Sequence, residues 1–273
     1  MRTIVVPVNF SKNSTNAAHY AADLARTIGA ELNLVHVFQA PMVIPEVPIP
    51  ENVLEEMRDT NLSLLKDLAA DLRKRTDDKI KVSIDMKIGA TEKKIESFCQ
   101  NKKTFMVVMG AAGHCDQTIL QGSHTIRALR HLPYPLLVIP ENAVFQVVKN
   151  IVVACDREDI DNGVPTFLST LRVMAQLLGA KLELVHVLTT AREMAAETLG
   201  EYNSWKETTK TMAPELHFIR QSNVEEGINE YLQSHEADWL MIFPKRHSLL
   251  EFHKSHSRQI VLTCPLPVMS IQE

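Results

Sequence analysis

The chain has 273 residues, of which 45% are hydrophobic and 23% charged, and its 29 basic and 33 acidic side chains give a formal net charge of −4 at pH 7. This length suits one large or two ordinary domains, and the composition is that of a globular protein. The balanced charge argues against a dedicated nucleic-acid-binding protein, which would carry a basic excess or stripe.

The first residues, MRTIVVPV, run directly into a strand pattern and show no secretory signal. No apolar stretch approaches the roughly 20 residues that a membrane span needs. Four cysteines (Cys99, Cys115, Cys155 and Cys264) form neither a C-x-x-C pair nor a zinc-type spacing. We therefore expect a cytoplasmic protein with free thiols, no metal, no membrane partner and no nucleic-acid partner.

The first half alternates strand and helix patterns. Ile4 to Val8 is predicted to be a buried strand, and residues 14–28 a helix with an alanine-rich apolar face that ends at Gly29. Leu32 to Val37 is the second predicted strand. Four prolines between Pro41 and Pro50 then indicate an extended loop.

A long helix is predicted over residues 52–75. The side chains expected to face inward are Leu54, Met57, Leu64, Leu65, Leu68 and Leu72. Val82 to Ile88 alternates as a third strand, which suits the edge of a sheet, and Thr91 is predicted to cap a short helix. The apolar runs 105–109 and 136–139 supply the last two strands of this half.

An internal repeat determines the domain organisation. TIVVPVN at residues 3–9 recurs as NIVVACD at 150–156, and IGAELNLVHV at 28–37 recurs as LLGAKLELVHV at 177–187. A period of about 150 residues matches a duplicated domain. We predict two copies of one α/β fold, at residues 1–143 and 148–273, each with a parallel doubly wound sheet.

Ligands of such sheets lie at the carboxyl ends of the strands, where the strand order reverses. In the first copy, Asn9, Val37 and Gly110 lie at these ends. Gly110, Gly113 and Gly122 with Ser123 precede a helix, and bare backbone N–H groups beside a helix start can hold phosphate. Glycine also ends strands and caps helices for purely structural reasons, so the pattern alone leaves both explanations open.

The pattern G-x-x-G, a spacer, G-S, a helix, a proline-flanked step at residues 132–135 and an apolar strand resembles the C-terminal half of a universal stress protein domain. The resemblance implies the adenine nucleotide alpha hydrolase-like fold, with five strands in the order 3-2-1-4-5. It also implies an adenine nucleotide, ATP with or without Mg²⁺, in the N-terminal domain. The residues implied to bind it are Pro7, Asn9, Val37, Gly110, Gly113, Gly122, Ser123, His124 and Thr125.

The resemblance further implies a role in stress response or its regulation, in which bound nucleotide biases a surface that an unknown protein partner reads. Domains of this family pair through their last strands, here Leu136 to Ile139 and Val268 to Ile271. We therefore expect an internal pseudo-dimer, and association of two chains as a homodimer is a further possibility.

The second copy is expected to be degenerate and not to bind ATP. Its counterparts of the three loop glycines are Pro244, His247 and Lys254. Proline removes a backbone N–H, and the other two side chains crowd the space that a phosphate would fill.

Other chemistry-bearing residues have simpler explanations. The basic C-terminal stretch KRHSLLEFHKSH favours a solvated face or a small-anion site over a metal site. His36 and His186, at matching places in the two copies, are interpreted as hydrogen-bonded strand histidines rather than catalytic ones. Ser123 with His124 lacks a third member of a triad, so we assign no catalytic residue.

Two alternatives to a nucleotide-binding regulator remain at this stage. One is a nucleotide-free interaction scaffold, because only eight residues separate Gly113 from Gly122, one fewer than is usual in the family, and Asn9 stands where aspartate is common. The other is an enzyme that hydrolyses ATP, with slow turnover at most. Neither a Walker loop nor the dinucleotide motif G-x-G-x-x-G after the first strand is present in the sequence.

Overall fold

The computed structural model describes residues 2–38, 51–111, 125, 128, 132–156, 160, 165–198, 200, 205–206, 209–210, 212–244 and 256–272. The chain divides into two compact units, Met1–Phe145 and Gln146–Glu273.

The first unit is a five-stranded parallel sheet with helices packed against it. Its strands are β1 (Thr3–Pro7), β2 (Glu31–Phe38), β3 (Val82–Ile88), β4 (Thr104–Gly110) and β5 (Leu136–Ile139). Its helices include α1 (Lys12–Ile28), α2 (Glu51–Arg75) and α3 (Thr91–Asn101). The strand order is β3-β2-β1-β4-β5, and every pair in this unit is parallel. The order reverses between β1 and β4, and the carboxyl ends of the strands at such a reversal are the usual ligand position in sheets of this kind.

Local sequence explains where α1 begins and ends. Ser11 is the N-cap and accepts a hydrogen bond from the backbone N–H of Ser14, while Gly29 follows the helix in the left-handed conformation at φ +65°. The face that packs on the sheet is largely alanine, so the helix axis lies close to the strands. Its buried apolar members include Ala17, Ala18, Ala21, Leu24 and Ala25.

Two expectations about the helices of the first unit are wrong. The N-cap of α3 is Ala90, which offers no capping side chain, and Thr91 is instead the first residue of the helix. In α2, Met57 and Leu64 are 36% and 44% exposed, although Leu65 and Leu72 are buried as expected. Helical periodicity locates an apolar stripe, but which part of a stripe meets the sheet depends on how the helix is placed across the strands.

The second unit repeats the plan of the first. Its strands are β6 (Asn150–Ala154), β7 (Lys181–Leu188), β8 (Glu215–Arg220), β9 (Trp239–Ile242) and β10 (Val268–Ser270). Its helices include α4 (Pro165–Leu178), α5 (Ala191–Thr198), α6 (Val224–Ser234) and α7 (His256–Thr263). The strand order is β8-β7-β6-β9-β10, again all parallel. The predicted α/β class and the order 3-2-1-4-5 are therefore confirmed in both units.

Two further observations concern the part of the chain that the structure describes. Cys99, Cys155 and Cys264 there are buried, and no disulfide joins any of them. None of the helices described is both long and apolar enough to cross a membrane.

Candidate functional site at the carboxyl edge of the first sheet

The turn between β1 and α1 is organised by Asn9. Its side-chain Oδ1 accepts hydrogen bonds from the backbone N–H of Ser11 at 3.1 Å and from the Ser11 hydroxyl at 2.7 Å. Phe10, held between them, has a left-handed backbone with φ +62°, which is uncommon for a residue other than glycine. Asn9 itself is exposed, so its Nδ2 group is the donor that it can offer to a ligand.

His36 fixes the end of β1 against β2. Its Nδ1 lies 2.8 Å from the carbonyl oxygen of Val8, and because a carbonyl only accepts, Nδ1 carries the proton and donates. The Phe10 ring lies over the His36 ring with centroids 4.7 Å apart. The interpretation of His36 as a buried, hydrogen-bonded strand histidine is confirmed.

Gly110 is required by the packing of α1 against β4. A Cβ built at this position would lie 2.4 Å from the carbonyl oxygen of Asn13 and 2.6 Å from its carbonyl carbon, and both are backbone atoms. The Asn13 side chain also donates from Nδ2 to the carbonyl oxygen of Ala111 at 2.8 Å. The first turn of α1 is thus held against the last residues of β4, and only glycine leaves room for it.

Thr125 is hydrogen-bonded to the last residue of β4. It is 6% exposed, and its hydroxyl donates to the carbonyl oxygen of Gly110 at 2.9 Å. Thr125 therefore lies at the carboxyl end of β4.

The structure brings several of the predicted site residues to one edge. Pro7 is the last residue of β1 and pairs with Val35, so Asn9 and Val37 each lie two residues further towards the carboxyl edge. Gly110 ends β4 at the same edge, and Thr125 is bonded to it. Gly113, Gly122, Ser123 and His124 lie outside the described residues.

Two residues with no predicted role, Asn13 and Asn16, also build this edge. Asn13 bonds to Ala111, and Asn16 donates from Nδ2 to the carbonyl oxygens of Pro140 at 3.2 Å and Ala143 at 3.0 Å. The signal for them was present in the sequence, because two asparagines three residues apart interrupt an alanine-rich helix and share one helical face. They tie α1 to the chain that follows β4 and β5.

The corresponding edge of the second unit is filled by aromatic rings. His186 repeats the role of His36, with Nδ1 donating to the carbonyl oxygen of Cys155 at 3.0 Å, so its predicted structural role is also confirmed. The His186 ring meets the ring of Trp205 edge-on, with centroids 5.3 Å apart, and Trp205 lies 5.8 Å from Phe218. His186 and Trp205 are buried and Phe218 is half-buried, whereas in the first unit the ring that meets the equivalent His36 is that of Phe10.

A reciprocal cap opens α5 at this edge. The Glu193 backbone N–H donates to the Thr190 hydroxyl at 3.2 Å, and Glu193 Oε2 accepts from the backbone N–H groups of Thr190 and Thr189 at 2.8 and 2.9 Å. Partial burial alone would raise the pKa of Glu193. The hydrogen bonds from Thr190 and Thr189 outweigh it, and the pKa lies below its usual value.

A cavity of about 550 Å³ lies at the opposite, amino edge of the second sheet. Its lining includes Lys149 and Asp238, which carry opposite charges, and the polar residues Asn150 and His235. The carboxylate of Asp238 already accepts hydrogen bonds from the backbone N–H groups of Lys149 and Asn150. The cavity is therefore distinct from the candidate site, and its lining does not favour one class of ligand.

The comparison of the sequence with protein families decides the affiliation. The sequence model of the universal stress protein family matches residues 1–140. The chain belongs to the universal stress protein family. The matched range contains every residue of the candidate site.

Relatives of this universal stress protein support the assignment. Universal stress protein MJ0531 of Methanocaldococcus jannaschii is 28% identical over 147 residues, which cover 50% of this chain and 81% of that protein. A universal stress protein from Archaeoglobus fulgidus is similar in structure, with a TM-score of 0.78 and 18% identity over 99% of this chain and 96% of the other. A putative universal stress protein of Pseudomonas aeruginosa gives a TM-score of 0.64 at 14% identity, over 100% and 93% of the two chains. The structural likenesses, at these identities, concern the fold.

Proposed function

We propose that this universal stress protein is a cytoplasmic stress-response regulator whose first unit binds an adenine nucleotide, ATP with Mg²⁺, at the carboxyl edge of its sheet. The observation that carries the proposal is the hydrogen bond from Thr125 to the Gly110 carbonyl oxygen. It anchors both ends of the segment that contains Gly113, Gly122 and Ser123 at the point where the strand order reverses, the usual ligand position of such folds.

The residues available suit the parts of a nucleotide. Val37 is half-buried and apolar, so it suits the face of a base, and the Nδ2 group of Asn9 can donate to a ring nitrogen or a ribose oxygen. The backbone N–H groups of a glycine-rich segment followed by a helix start are suited to phosphate. The left-handed Phe10 is a second reason to place function at this turn, because strained backbone concentrates at functional sites.

Calorimetric titration of the full chain with ATP, and separately with AMP, in the presence of Mg²⁺ tests the proposal. We expect one site per chain. The variant Gly122→Lys, which introduces the residue that the second unit carries at this position, should abolish binding. Asp156→Asn is the matched control, because Asp156 occupies the position of Asn9 in the second unit, and it should bind like the wild type. Absence of binding to wild-type protein shown by mass spectrometry to carry no nucleotide would refute the proposal.

A nucleotide-free scaffold is the second candidate, and two observations favour it. The side-chain oxygen of Asn9 already accepts a hydrogen bond within its own turn. The close approach of the Asn13 backbone is sufficient to require glycine at position 110 without any ligand. Under this hypothesis the titrations show no heat, and Gly122→Lys leaves partner binding unchanged. Slow ATP hydrolysis that Gly113→Val abolishes without loss of folded structure would instead indicate an enzyme.

A further inference from the structure

Strand β3 forms an open edge of the first sheet. The backbone N–H of Gly89 donates to Phe38, and the carbonyl of Lys81 accepts from Leu32, so odd-numbered residues of β3 point their backbone groups towards β2. The even-numbered residues therefore point theirs away from β2. Within the described residues no strand pairs with that side of β3.

The start of this edge is already closed. The Arg73 guanidinium, near the end of α2, donates to the carbonyl oxygen of Val82 at 2.6 Å. The edge that can accept another strand is therefore residues 84–88, with outward backbone groups on Ile84, Met86 and Ile88.

The side chains of this edge form two distinct rows. Ile84, Met86 and Ile88 lie on one face, and Ile88 is 57% exposed. Asp85 and Lys87 lie on the other face, with their charged atoms 3.3 Å apart. Many edge strands carry an unpaired inward-pointing charge or a proline, and either feature prevents another strand from adding. In β3 the charges of Asp85 and Lys87 instead neutralise each other, so they do not block the addition of a strand.

This pattern is self-complementary in one register. If a second copy pairs antiparallel with its two-fold axis at Met86, then Ile84 faces Ile88, and Met86 faces its own counterpart. Asp85 of each copy then faces Lys87 of the other, so the two-fold axis creates two such charge pairs. Both pairs occupy the closely spaced non-hydrogen-bonded positions. Centring the axis on Asp85 or on Lys87 places like charges opposite each other. Centring it on Ile84 puts Ser83 opposite Asp85, and centring it on Ile88 puts Gly89 opposite Lys87, so the register at Met86 is the one that pairs Asp85 with Lys87.

The exposed apolar stripe of α2 is not part of this edge. Val53, Met57 and Leu64 are spaced by four and seven residues, lie on one side of α2, and are 37%, 36% and 44% exposed. Asp71 and Arg75 continue this side of the helix and form ion pairs with His19 and Asp23 of α1. The stripe therefore faces α1, whereas Arg73, on the other side of α2, reaches β3.

We propose that β3 is a homodimerisation edge, at which a second copy of this chain adds antiparallel in the register centred on Met86. The partner is specified by the self-complementary charge pair of Asp85 and Lys87. The proposal does not depend on nucleotide binding.

Sedimentation velocity of the full chain over a range of concentrations tests the proposal. We expect a reversible dimer. Asp85→Lys and Lys87→Asp, each alone, turn two attractive pairs into two repulsive ones and should weaken dimerisation about tenfold or more. An equimolar mixture of these two variants should dimerise again, because both lysines of one chain then face aspartates of the other. The control Lys206→Asp, an exposed charge reversal in the second unit, should have no effect.

Met86→Pro provides a second, backbone-based variant. It removes an outward N–H that the ladder to β2 does not use, so the fold is retained while the new ladder is blocked. Circular dichroism checks the fold. A monomeric wild type overturns the proposal, and so does a dimer that persists in Met86→Pro or one that the mixture of charge variants fails to restore.

Discussion

The close approach of α1 to β4 makes a quantitative prediction for Gly110→Ala. The added methyl group would lie 2.4 Å from a backbone oxygen of Asn13, in a helix turn that a further hydrogen bond ties to Ala111. Overpacking of this kind costs about 1–3 kcal/mol, and the reduced freedom of the unfolded chain offsets roughly 0.4–1 kcal/mol. We expect the free energy of unfolding to fall by about 1–2 kcal/mol.

Urea unfolding followed by circular dichroism measures this change. Hydrogen exchange with mass spectrometry then locates it, and faster exchange is expected in peptides from α1 and β4 but not in those from β6 and β9. Gly29→Ala is the matched control in the same unit. Its Cβ meets no atom within 4 Å, so it carries only the conformational cost of φ +65°, about 1 kcal/mol, without moving α1 from the sheet.

A stability of Gly110→Ala within about 0.5 kcal/mol of the wild type, with unchanged exchange in α1, would refute the packing argument. If such a stable variant lost ATP binding, the need for glycine at position 110 would come from contact with the nucleotide and not from packing against Asn13.

Three further predictions concern other parts of the chain. Burial raises the pKa of Glu193, but the hydrogen bonds from Thr190 and Thr189 lower it by more, so the pKa in the folded protein lies below that in the unfolded chain. The ionised carboxylate therefore stabilises the fold at pH values above the unfolded-state pKa, and this stabilisation is lost as the pH falls through the folded-state pKa. The stability difference between wild type and Glu193→Gln, from urea unfolding, should therefore shrink from neutral pH into the acid range. Burial raises the pKa of Cys99 to about 11, so iodoacetamide should label it only after unfolding, as peptide mapping can show. Asn223→Ala removes the N-cap of α6 and should cost about 1 kcal/mol, measured by tryptophan fluorescence.

Each of these three has a result that contradicts it. A pH-independent difference for Glu193→Gln would mean that its hydrogen bonds do not depend on charge. Labelling of Cys99 in the native protein at neutral pH would contradict its burial. An unchanged unfolding curve for Asn223→Ala would show that the α6 cap contributes no stability.

The architecture was predictable because it rests on short-range patterns. Apolar runs such as residues 105–109 and the alanine face of α1 identify elements from local periodicity, and the repeat of IVV and LVHV shows that two such sets are present. His36 was recognisable as structural because its counterpart recurs in the second copy. The parallel order of strands then follows from short right-handed connections.

The candidate site was predictable only as a set of strand ends. That Asn9, Val37 and Gly110 lie at one edge follows from the sheet topology, but what each side chain contacts does not. The hydrogen bond of Thr125 to Gly110 joins residues fifteen positions apart, and the contacts of Asn16 span more than a hundred. No local pattern encodes such distances.

The sequence by itself thus determined the duplicated α/β fold, the family resemblance and the edge where a ligand is expected. Only the tertiary structure decided why Gly110 must be glycine, that Met57 and Leu64 remain exposed, and which backbone groups of β3 face outward. The physical reason is that burial and close approach depend on the placement of whole elements against one another, whereas periodicity reports only the faces that each element offers.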